Sequence, residues 1–168
     1  MKTLASDIRF AEPSDAASLA DIHAAAWRSA YTGIIPFRSL GGMIRRRGVD
    51  WWQAALERQA AILVIEFAGR PIGYATLGRN RTRAIEASGE IYEIYLLPEY
   101  QGLGFGRRLF GAARELLRER GLKGLVVWAL AENEQAGAFY AAMGGVDIAE
   151  GSETFEARTI RKVAFRWN

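Results

Sequence analysis

The stretch that decides the fold is Gln101-Gly102-Leu103-Gly104-Phe105-Gly106-Arg107-Arg108. It follows a run of strand-forming residues and precedes apolar residues at helical spacing, so it predicts a turn from a strand into a helix. Glycine lets the backbone adopt positive φ angles and approach a ligand closely. The first amides of a helix attract anions, and Arg107 and Arg108 add positive charge at the same end. The stretch therefore predicts a phosphate-binding turn.

Two common phosphate motifs do not fit this turn. The dinucleotide pattern G-x-G-x-x-G requires a third glycine at position 107, which is Arg107. The P-loop pattern G-x-x-x-x-G-K-[ST] has no match in the sequence. The turn thus predicts phosphate binding without a nicotinamide or nucleoside triphosphate site. A structural glycine turn that binds nothing is the alternative.

The elements around the turn predict a mixed α/β sheet. A first strand over 8–10 precedes a helix opened by Pro13-Ser14-Asp15 and a second helix over 39–47, and Asp50 is placed to cap another. Later elements are strands over 61–67, 72–77 and 89–97, a helix ending at Gly121, a strand over 125–130, a helix over 133–143, and strands over 146–149 and 159–167. The predicted order is β-αα-βββ-α-β-α-ββ. We expect one domain over residues 1–168.

Composition narrows the class of protein. The 168 residues carry a formal net charge of +3 with a sequence pI of about 9.4, which suits a small polyanionic ligand better than nucleic acid. Arg45-Arg46-Arg47 is typical of a solvated helix face. There is no cysteine, and we find no signal pattern, membrane-length apolar run or metal-ligand spacing. We expect a cytoplasmic protein without a metal, membrane or nucleic-acid partner.

Three linked motifs resemble the GNAT superfamily of N-acetyltransferases. Gln101-x-x-Gly104-x-Gly106 resembles its Q/R-x-x-G-x-G/A signature. The segment 94–100 is similar to the end of its fourth strand. Asn133-x-x-Ala136-x-x-Phe139-Tyr140-x-x-x-Gly144 is similar to its next motif, one helix and one strand later. The resemblance is specific from about residue 89 to residue 145.

The resemblance implies a mostly antiparallel, twisted sheet flanked by helices, in which strands four and five start paired and then splay. It also implies acetyl-CoA as cosubstrate, with its pantetheine arm pairing with the backbone of the fourth strand. Asn133 would bind the same arm, although a plain helix N-cap explains this residue equally well. The residues assigned to acetyl-CoA are Ile94, Tyr95, Leu96, Gln101, Gly102, Leu103, Gly104, Phe105, Gly106, Arg107 and Asn133.

The resemblance also suggests the catalytic groups. Tyr140 would be the general acid that protonates the departing thiolate, and its alternative is a core aromatic residue. Glu90 and Glu93 are both candidates for the general base. Their spacing places them on opposite faces of a regular strand, although a bulge would switch the register. Ordinary exposed strand carboxylates are the alternative for each.

Three further residues, Tyr31, His23 and Trp128, are interpreted individually, and the first and last concern the acceptor. Tyr31 falls where the family builds its acceptor-binding wall, so it is a substrate candidate. His23, the only histidine, lies on the apolar side of the first helix and is expected to be structural and hydrogen-bonded. Trp128 stands where some peptide-modifying relatives carry an acid, which argues against a ribosomal-protein type of specificity.

The resulting hypothesis is an N-acetyltransferase that moves an acetyl group from acetyl-CoA directly to a primary amine in a ternary complex. A non-catalytic acyl-CoA-binding module and a structural domain are the competing hypotheses. Small amines, antibiotics, amino acids, polyamines and peptide N-termini all stay open as acceptors. The exposed last strand would allow a homodimer.

Overall fold

The computed structural model describes residues 7–58 and 60–168. Seven strands form one sheet in the order β1-β2-β3-β4-β5-β7-β6. The strands are β1 (Ile8–Phe10), β2 (Ile62–Phe67), β3 (Arg70–Arg79), β4 (Gly89–Leu96), β5 (Leu125–Leu130), β6 (Val146–Phe155) and β7 (Arg158–Trp167). The helices are α1 (Ala16–Tyr31), α2 (Phe37–Arg46), α3 (Val49–Glu57), α4 (Phe105–Glu119) and α5 (Glu134–Ala142).

The sheet is antiparallel except at one junction. β4 and β5 run parallel and pair only at Gly89 with Leu125 and at Glu90 with Val126. Beyond these two pairs β5 continues along β7, while β4 continues along β3. The two central strands therefore diverge and open the middle of the sheet. The prediction of a mixed, mostly antiparallel sheet with splayed fourth and fifth strands is confirmed.

Helices cover both faces of the sheet. On one face, α4 buries the apolar stripe Leu109, Phe110, Ala113 and Leu117, which recurs at helical spacing. On the other face, α1 and α3 pack together, and Trp52 of α3 stacks edge-on against Tyr74 of β3. The fully buried side chains of these layers form one apolar core, so the position of the opening between β4 and β5 is fixed by packing on both sides.

Three predicted elements differ from the structure. Two helices follow α1, where the predicted order counted one, and the second of them is the helix expected near Asp50. Its N-cap is Gly48, not Asp50, which lies inside the first turn. α2 begins at Phe37 directly after Pro36. β6 extends to Phe155, six residues past the predicted end. Its side chains are largely exposed, so its sequence lacks the apolar alternation that predicts a strand. Backbone pairing with β7 stabilises the strand conformation.

Candidate active site

A cavity of about 390 Å³ occupies the opening between β4 and β5. It reaches both faces of the sheet, because its walls come from α1 on one side and from α4 and α5 on the other. Of the residues predicted for the site, the cavity walls include Tyr31, Glu93, Ile94, Tyr95, Leu96, Gln101, Gly102, Gly104, Gly106, Arg107, Asn133 and Tyr140. Three predicted residues do not line it: Glu90, Leu103 and Phe105.

The glycine turn forms one end of this cavity. Gly102 and Gly104 have φ angles of 77° and 91°, and Gly104 is the N-cap of α4 with no side-chain cap. The first amides of α4 have no partner within the helix, so they are available to an anion. A side chain at Gly106 would approach Phe139 to 3.3 Å, which shows how closely the turn and α5 meet. The geometry fits a phosphate-bearing ligand.

The two arginines after the turn have different surroundings: Arg107 lines the cavity and Arg108 pairs with an acidic side chain. Arg107 is exposed and lines the cavity, where it adds positive charge beside the free amides. Arg108 instead forms an ion pair with Asp7 at 3.0 Å and packs over the ring of Phe105. Phe105 itself is buried in the core, so only its backbone can serve a ligand.

Gln101 joins the turn to its neighbours. Its amide nitrogen donates to the Leu96 carbonyl at 3.3 Å, and its amide oxygen accepts from Gln135 at 3.1 Å. The first contact holds the end of β4 and the second holds the start of α5. Gln101 therefore supports the turn in addition to lining the cavity.

The start of α5 places Tyr140 at the cavity. The side chain of Asn133 accepts a hydrogen bond from the Ala136 amide at 3.2 Å, so its N-cap role is confirmed. About two helical turns later, at 3.6 residues per turn, Tyr140 lies among the rings of Phe110, Phe165 and Trp167 and is 6% exposed. Burial raises the pKa of its phenol well above the ordinary value. Its hydroxyl makes no hydrogen bond within the described part of the chain and is available to a ligand.

A β-bulge decides where the two glutamates point. Thr76 of β3 pairs with Glu93 and the next residue pairs with Ile91, so Tyr92 is the extra residue. The bulge shifts the alternation by one position, and Glu90 and Glu93 share a face of the sheet. The arrangement expected for a regular strand is therefore wrong, and the alternative, a bulge that switches the register, is the one that the structure has. A bulge of this kind is a local irregularity that spacing along the strand does not reveal.

The two glutamates nevertheless have different environments. Glu90 is 2% exposed, and its carboxylate accepts from the backbone amide and guanidinium of Arg81 at distances between 2.8 and 3.3 Å. These contacts occupy the Glu90 carboxylate, and Glu90 does not line the cavity. Glu93 lines the cavity and bonds to Arg47 at 2.6 Å, with the hydroxyls of Tyr74 and Thr76 at 3.4 Å.

Two tyrosine hydroxyls meet beside Glu93. The Tyr31 oxygen at the end of α1 lies 2.6 Å from the Tyr95 oxygen on β4. Trp27 packs edge-on against the Tyr31 ring, with centroids 5.1 Å apart. Burial raises the pKa of both phenols, so both stay protonated at neutral pH. They supply polar, uncharged groups where α1 borders the cavity.

His23 differs from its prediction. It is fully buried, but neither ring nitrogen has a hydrogen-bond partner within the described residues. Its neighbours are the rings of Trp27 and Trp52, at centroid distances of 4.6 and 6.3 Å. Burial, with a smaller effect from Arg47, lowers the pKa of the imidazole to about 3. His23 is structural, as expected, but it is not hydrogen-bonded.

Sequence reasoning missed Arg47 as a site residue. It is the last of three consecutive arginines and was expected on a solvated helix face. The first two are exposed, but Arg47 turns inward, stacks over Trp51 at 3.9 Å and pairs with Glu93. Gly48, which follows it and ends the helical run, was the available signal that this arginine leaves the helix surface.

Residues 7–58 and 60–168 contain neither a membrane-spanning helix nor a cluster of metal ligands. No helix there is both long and apolar enough to cross a membrane. No three acidic or histidine side chains in the same part of the chain are grouped so that they could hold a metal ion.

Comparison with known proteins identifies the family. The model of the acetyltransferase (GNAT) family matches residues 19–144, which include α1, the glycine turn and α5. The chain belongs to the GNAT family. Among curated relatives, the N-acetyltransferase YuaI of Bacillus subtilis (strain 168), itself uncharacterised, is 28% identical over 160 residues, covering 95% of this chain and 91% of that protein. The mycothiol acetyltransferase of Paenarthrobacter aurescens (strain TC1) is 31% identical over 102 residues, 60% of this chain and 30% of that protein.

Solved GNAT structures share the fold. The PaiA N-acetyltransferase of Thermoplasma acidophilum, in complex with coenzyme A, superposes with a TM-score of 0.74 at 19% identity, covering 92% of this chain and 96% of that chain. YncA of Salmonella typhimurium, with acetyl-CoA, gives a TM-score of 0.69 at 21% identity, covering 95% and 91%. At this level of identity the likeness establishes the architecture of this GNAT protein.

Proposed function

We propose that this GNAT protein transfers an acetyl group from acetyl-CoA to a primary amine of a small molecule or peptide, by direct attack in a ternary complex. One observation carries the proposal. A single cavity through the sheet joins an anion-binding glycine turn, an unbonded phenol at Tyr140 and a carboxylate at Glu93. Acyl transfer to an amine requires a site for the donor, a proton donor and a proton acceptor.

Acetyl-CoA fits the donor side of the cavity. The amides of Gly102 through Arg107 suit its pyrophosphate, and the diverging edge of β4 at Ile94, Tyr95 and Leu96 suits its pantetheine arm. Two structures of the same fold contain coenzyme A or acetyl-CoA, which supports the same ligand here. When bound, this cosubstrate supplies the acetyl thioester.

Residues of this chain would move the protons. Glu93 would accept the proton that the acceptor ammonium must lose, either directly or through water, and the freed nitrogen would then attack the thioester carbon. Backbone N–H groups of β4 would stabilise the charge that develops on the carbonyl oxygen. Tyr140 would donate its proton to the departing sulfur as the carbon–sulfur bond breaks. We assign no catalytic step to Glu90, because it does not line the cavity and its carboxylate is bonded to Arg81.

The competing function is an acyl-CoA-binding module without catalysis. It would use the same glycine turn and bind acetyl-CoA, but no amine would be acetylated. The presence of Glu93 and of an unbonded Tyr140 hydroxyl in the same cavity favours the enzyme over this alternative.

The test begins with calorimetric titration of the purified protein with acetyl-CoA, with NADH and ATP as controls. Selective binding of acetyl-CoA that is lost in Gly104→Glu supports the donor site, because that side chain adds bulk and negative charge at the turn. Release of free coenzyme A in the presence of amines then tests the reaction. Binding without release supports the module, and no binding by the folded protein overturns the proposal.

A further inference from the structure

The part of the cavity that α1 borders and that contains Glu93, called the acceptor side below, carries little net charge. Among the described residues that line the cavity, Glu93 is the only carboxylate and Arg107, at the glycine turn, is the only cation. Glu93 is itself paired with Arg47. A polyamine would need several carboxylates. An acidic acceptor would need cations that line the cavity beside Glu93, and Arg47 does not line it. The cavity therefore offers one carboxylate to an ammonium group and no oppositely charged partner to a second charge on the acceptor.

Aromatic rings form the rest of this side. Tyr31, Tyr92, Tyr95 and Trp128 all line the cavity. Tyr92, the bulge residue, shares the α1 side of the sheet with Glu93, as its contact with Gly78 shows, and Trp128 lies there because it alternates with the core-facing Val127. Four rings that line the same cavity as one carboxylate offer flat apolar surfaces to the body of an acceptor.

Two of these rings are held firmly in place. The Tyr92 hydroxyl donates to the Arg79 carbonyl at 2.7 Å, and the ring lies over Gly78, where a Cβ would come within 2.6 Å of the hydroxyl oxygen. The Trp128 indole donates to the Thr82 hydroxyl at 3.2 Å. Thr82 belongs to the loop 80–88, which Asn80 ties together through bonds to three carbonyls and one amide. The rings are therefore preorganised surfaces.

A cationic side chain packs over each of these two rings, Tyr92 and Trp128. The guanidinium of Arg81 lies 4.0 Å from the centre of the Tyr92 ring, and the Lys162 ammonium lies 4.7 Å from the centre of the Trp128 ring. Neither cation lines the cavity, so the ring surfaces turned to it stay free. A ring that holds one cation attracts a second one poorly, because the two charges repel. These surfaces suit a neutral aromatic group rather than another positive charge.

We infer that the acceptor is a primary monoamine on an uncharged aromatic body, with its ammonium at Glu93 and its ring against Tyr92 and Trp128. This inference rests on the proposed function, since it names the acceptor of that reaction. It narrows the class from all amines to those with one positive charge and a flat apolar group.

Two matched pairs of amines test the inference with saturating acetyl-CoA. 2-Phenylethylamine and 2-cyclohexylethylamine differ in aromaticity, and pentylamine and cadaverine differ by a second ammonium group. We expect kcat/KM to be about 2- to 10-fold higher for the phenyl compound than for the cyclohexyl compound. We expect roughly tenfold higher kcat/KM for pentylamine than for cadaverine, because the second charge has no partner.

Variants locate the effect. Trp128→Ala should raise KM for 2-phenylethylamine by roughly tenfold and change KM for ethylamine little. Trp128→Phe should restore most of the preference, and Thr82→Val should weaken it by freeing the ring without removing it. Phe37→Ala, at a residue 90% exposed on α2, is the control that should change nothing.

The outcomes separate this inference from the proposed function. A preference for cadaverine, or an equal loss for every amine in Trp128→Ala, overturns the acceptor class and leaves acetyl transfer standing. Bound acetyl-CoA with no turnover for any amine overturns the enzyme itself, and the acceptor class with it. The inference is supported when both amine pairs rank as expected and the Trp128 variants change only the aromatic preference.

Discussion

The guanidinium of Arg47 lies 2.6 Å from the carboxylate of Glu93, and both side chains are mostly buried, at 19% and 15% exposed. This ion pair connects the end of α2 to the edge of the cavity on β4. Tyr74 and Thr76 place their hydroxyls near the same carboxylate, so Glu93 is held from two sides. The position of the proposed proton acceptor thus depends on a residue outside the cavity.

The ion pair gives the first prediction. Arg47→Met should destabilise the protein by about 2 kcal/mol, because it leaves the mostly buried Glu93 carboxylate without its charged partner. Chemical denaturation measures the change. Arg46→Met is the matched control, since Arg46 is exposed and has no acidic partner among the described residues, and it should shift stability by less than about 0.5 kcal/mol.

A double-mutant cycle of Arg47→Met with Glu93→Gln isolates the pair itself. We expect a coupling energy of about 0.5–3 kcal/mol. Additive effects of the two substitutions would show that the contact contributes nothing and that Arg47 acts only through its stacking on Trp51.

Tyr140 gives the second prediction. Tyr140→Phe should lower kcat by about 100-fold, the scale of a lost general acid, and leave acetyl-CoA affinity nearly unchanged. Stability should change little, because the hydroxyl makes no internal hydrogen bond. Since burial raises the pKa of this phenol, it stays protonated through pH 6–9, and we expect no alkaline loss of rate from Tyr140 in that range.

The control for Tyr140 is Tyr100, a partly buried tyrosine outside the cavity. Tyr100 packs against Phe67 and Phe105 and does not line the cavity. Tyr100→Phe should therefore keep full turnover. If Tyr140→Phe also keeps it, Tyr140 is a core aromatic residue and another group protonates the thiolate.

Two glycines of the α4 region give the third prediction. Gly104 has a φ of 91° and open space where a Cβ would be, so Gly104→Ala costs only backbone strain, about 1–2 kcal/mol. It should also weaken acetyl-CoA binding by altering the turn. Gly111 has equal space but lies inside the helix, so Gly111→Ala should stabilise by about 0.5–1 kcal/mol and keep full affinity. Equal effects from both changes would contradict the strain argument.

Much of the fold follows from local patterns. The periodic apolar stripe of α4 and the strand-forming run of β5 were predictable because each signal is contained in its own segment. The later half of β6 was not, because its residues are mostly exposed and only pairing with β7 makes them a strand. Predictions fail where a partner distant in sequence supplies the stabilising contacts.

The features of the candidate site also separate into those that depend on local sequence and those that depend on distant contacts. The glycine turn and the Asn133 cap were predictable, because glycine and asparagine are needed locally for those backbone shapes. The orientations of Glu90 and Glu93 were not, since they depend on a bulge at Tyr92 that the pairing with β3 creates. The contact of Arg47 with Glu93 joins residues 46 positions apart. Patterns within a helix or strand do not predict contacts over that sequence distance.

His23 gives the last prediction, a dependence of stability on pH. The pKa of its imidazole is about 3 in the folded protein, against about 6.5 for an ordinary histidine. Above pH 6.5 the imidazole is neutral in both states and has no effect. As the pH falls below 6.5, the unfolded chain gains a proton that the folded protein rejects, so the free energy of unfolding decreases down to about pH 3.

The decrease should amount to about 2 kcal/mol between pH 7 and pH 5, since each pKa unit corresponds to about 1.4 kcal/mol. His23→Phe should abolish it, because phenylalanine preserves a flat ring between Trp27 and Trp52 and cannot be protonated. Near pH 7 the variant should be at least as stable, because it removes two buried nitrogen atoms that lack hydrogen-bond partners. Denaturation of both proteins at pH 5, 6 and 7 measures the difference. A wild-type slope that persists in His23→Phe would assign the pH dependence to other groups.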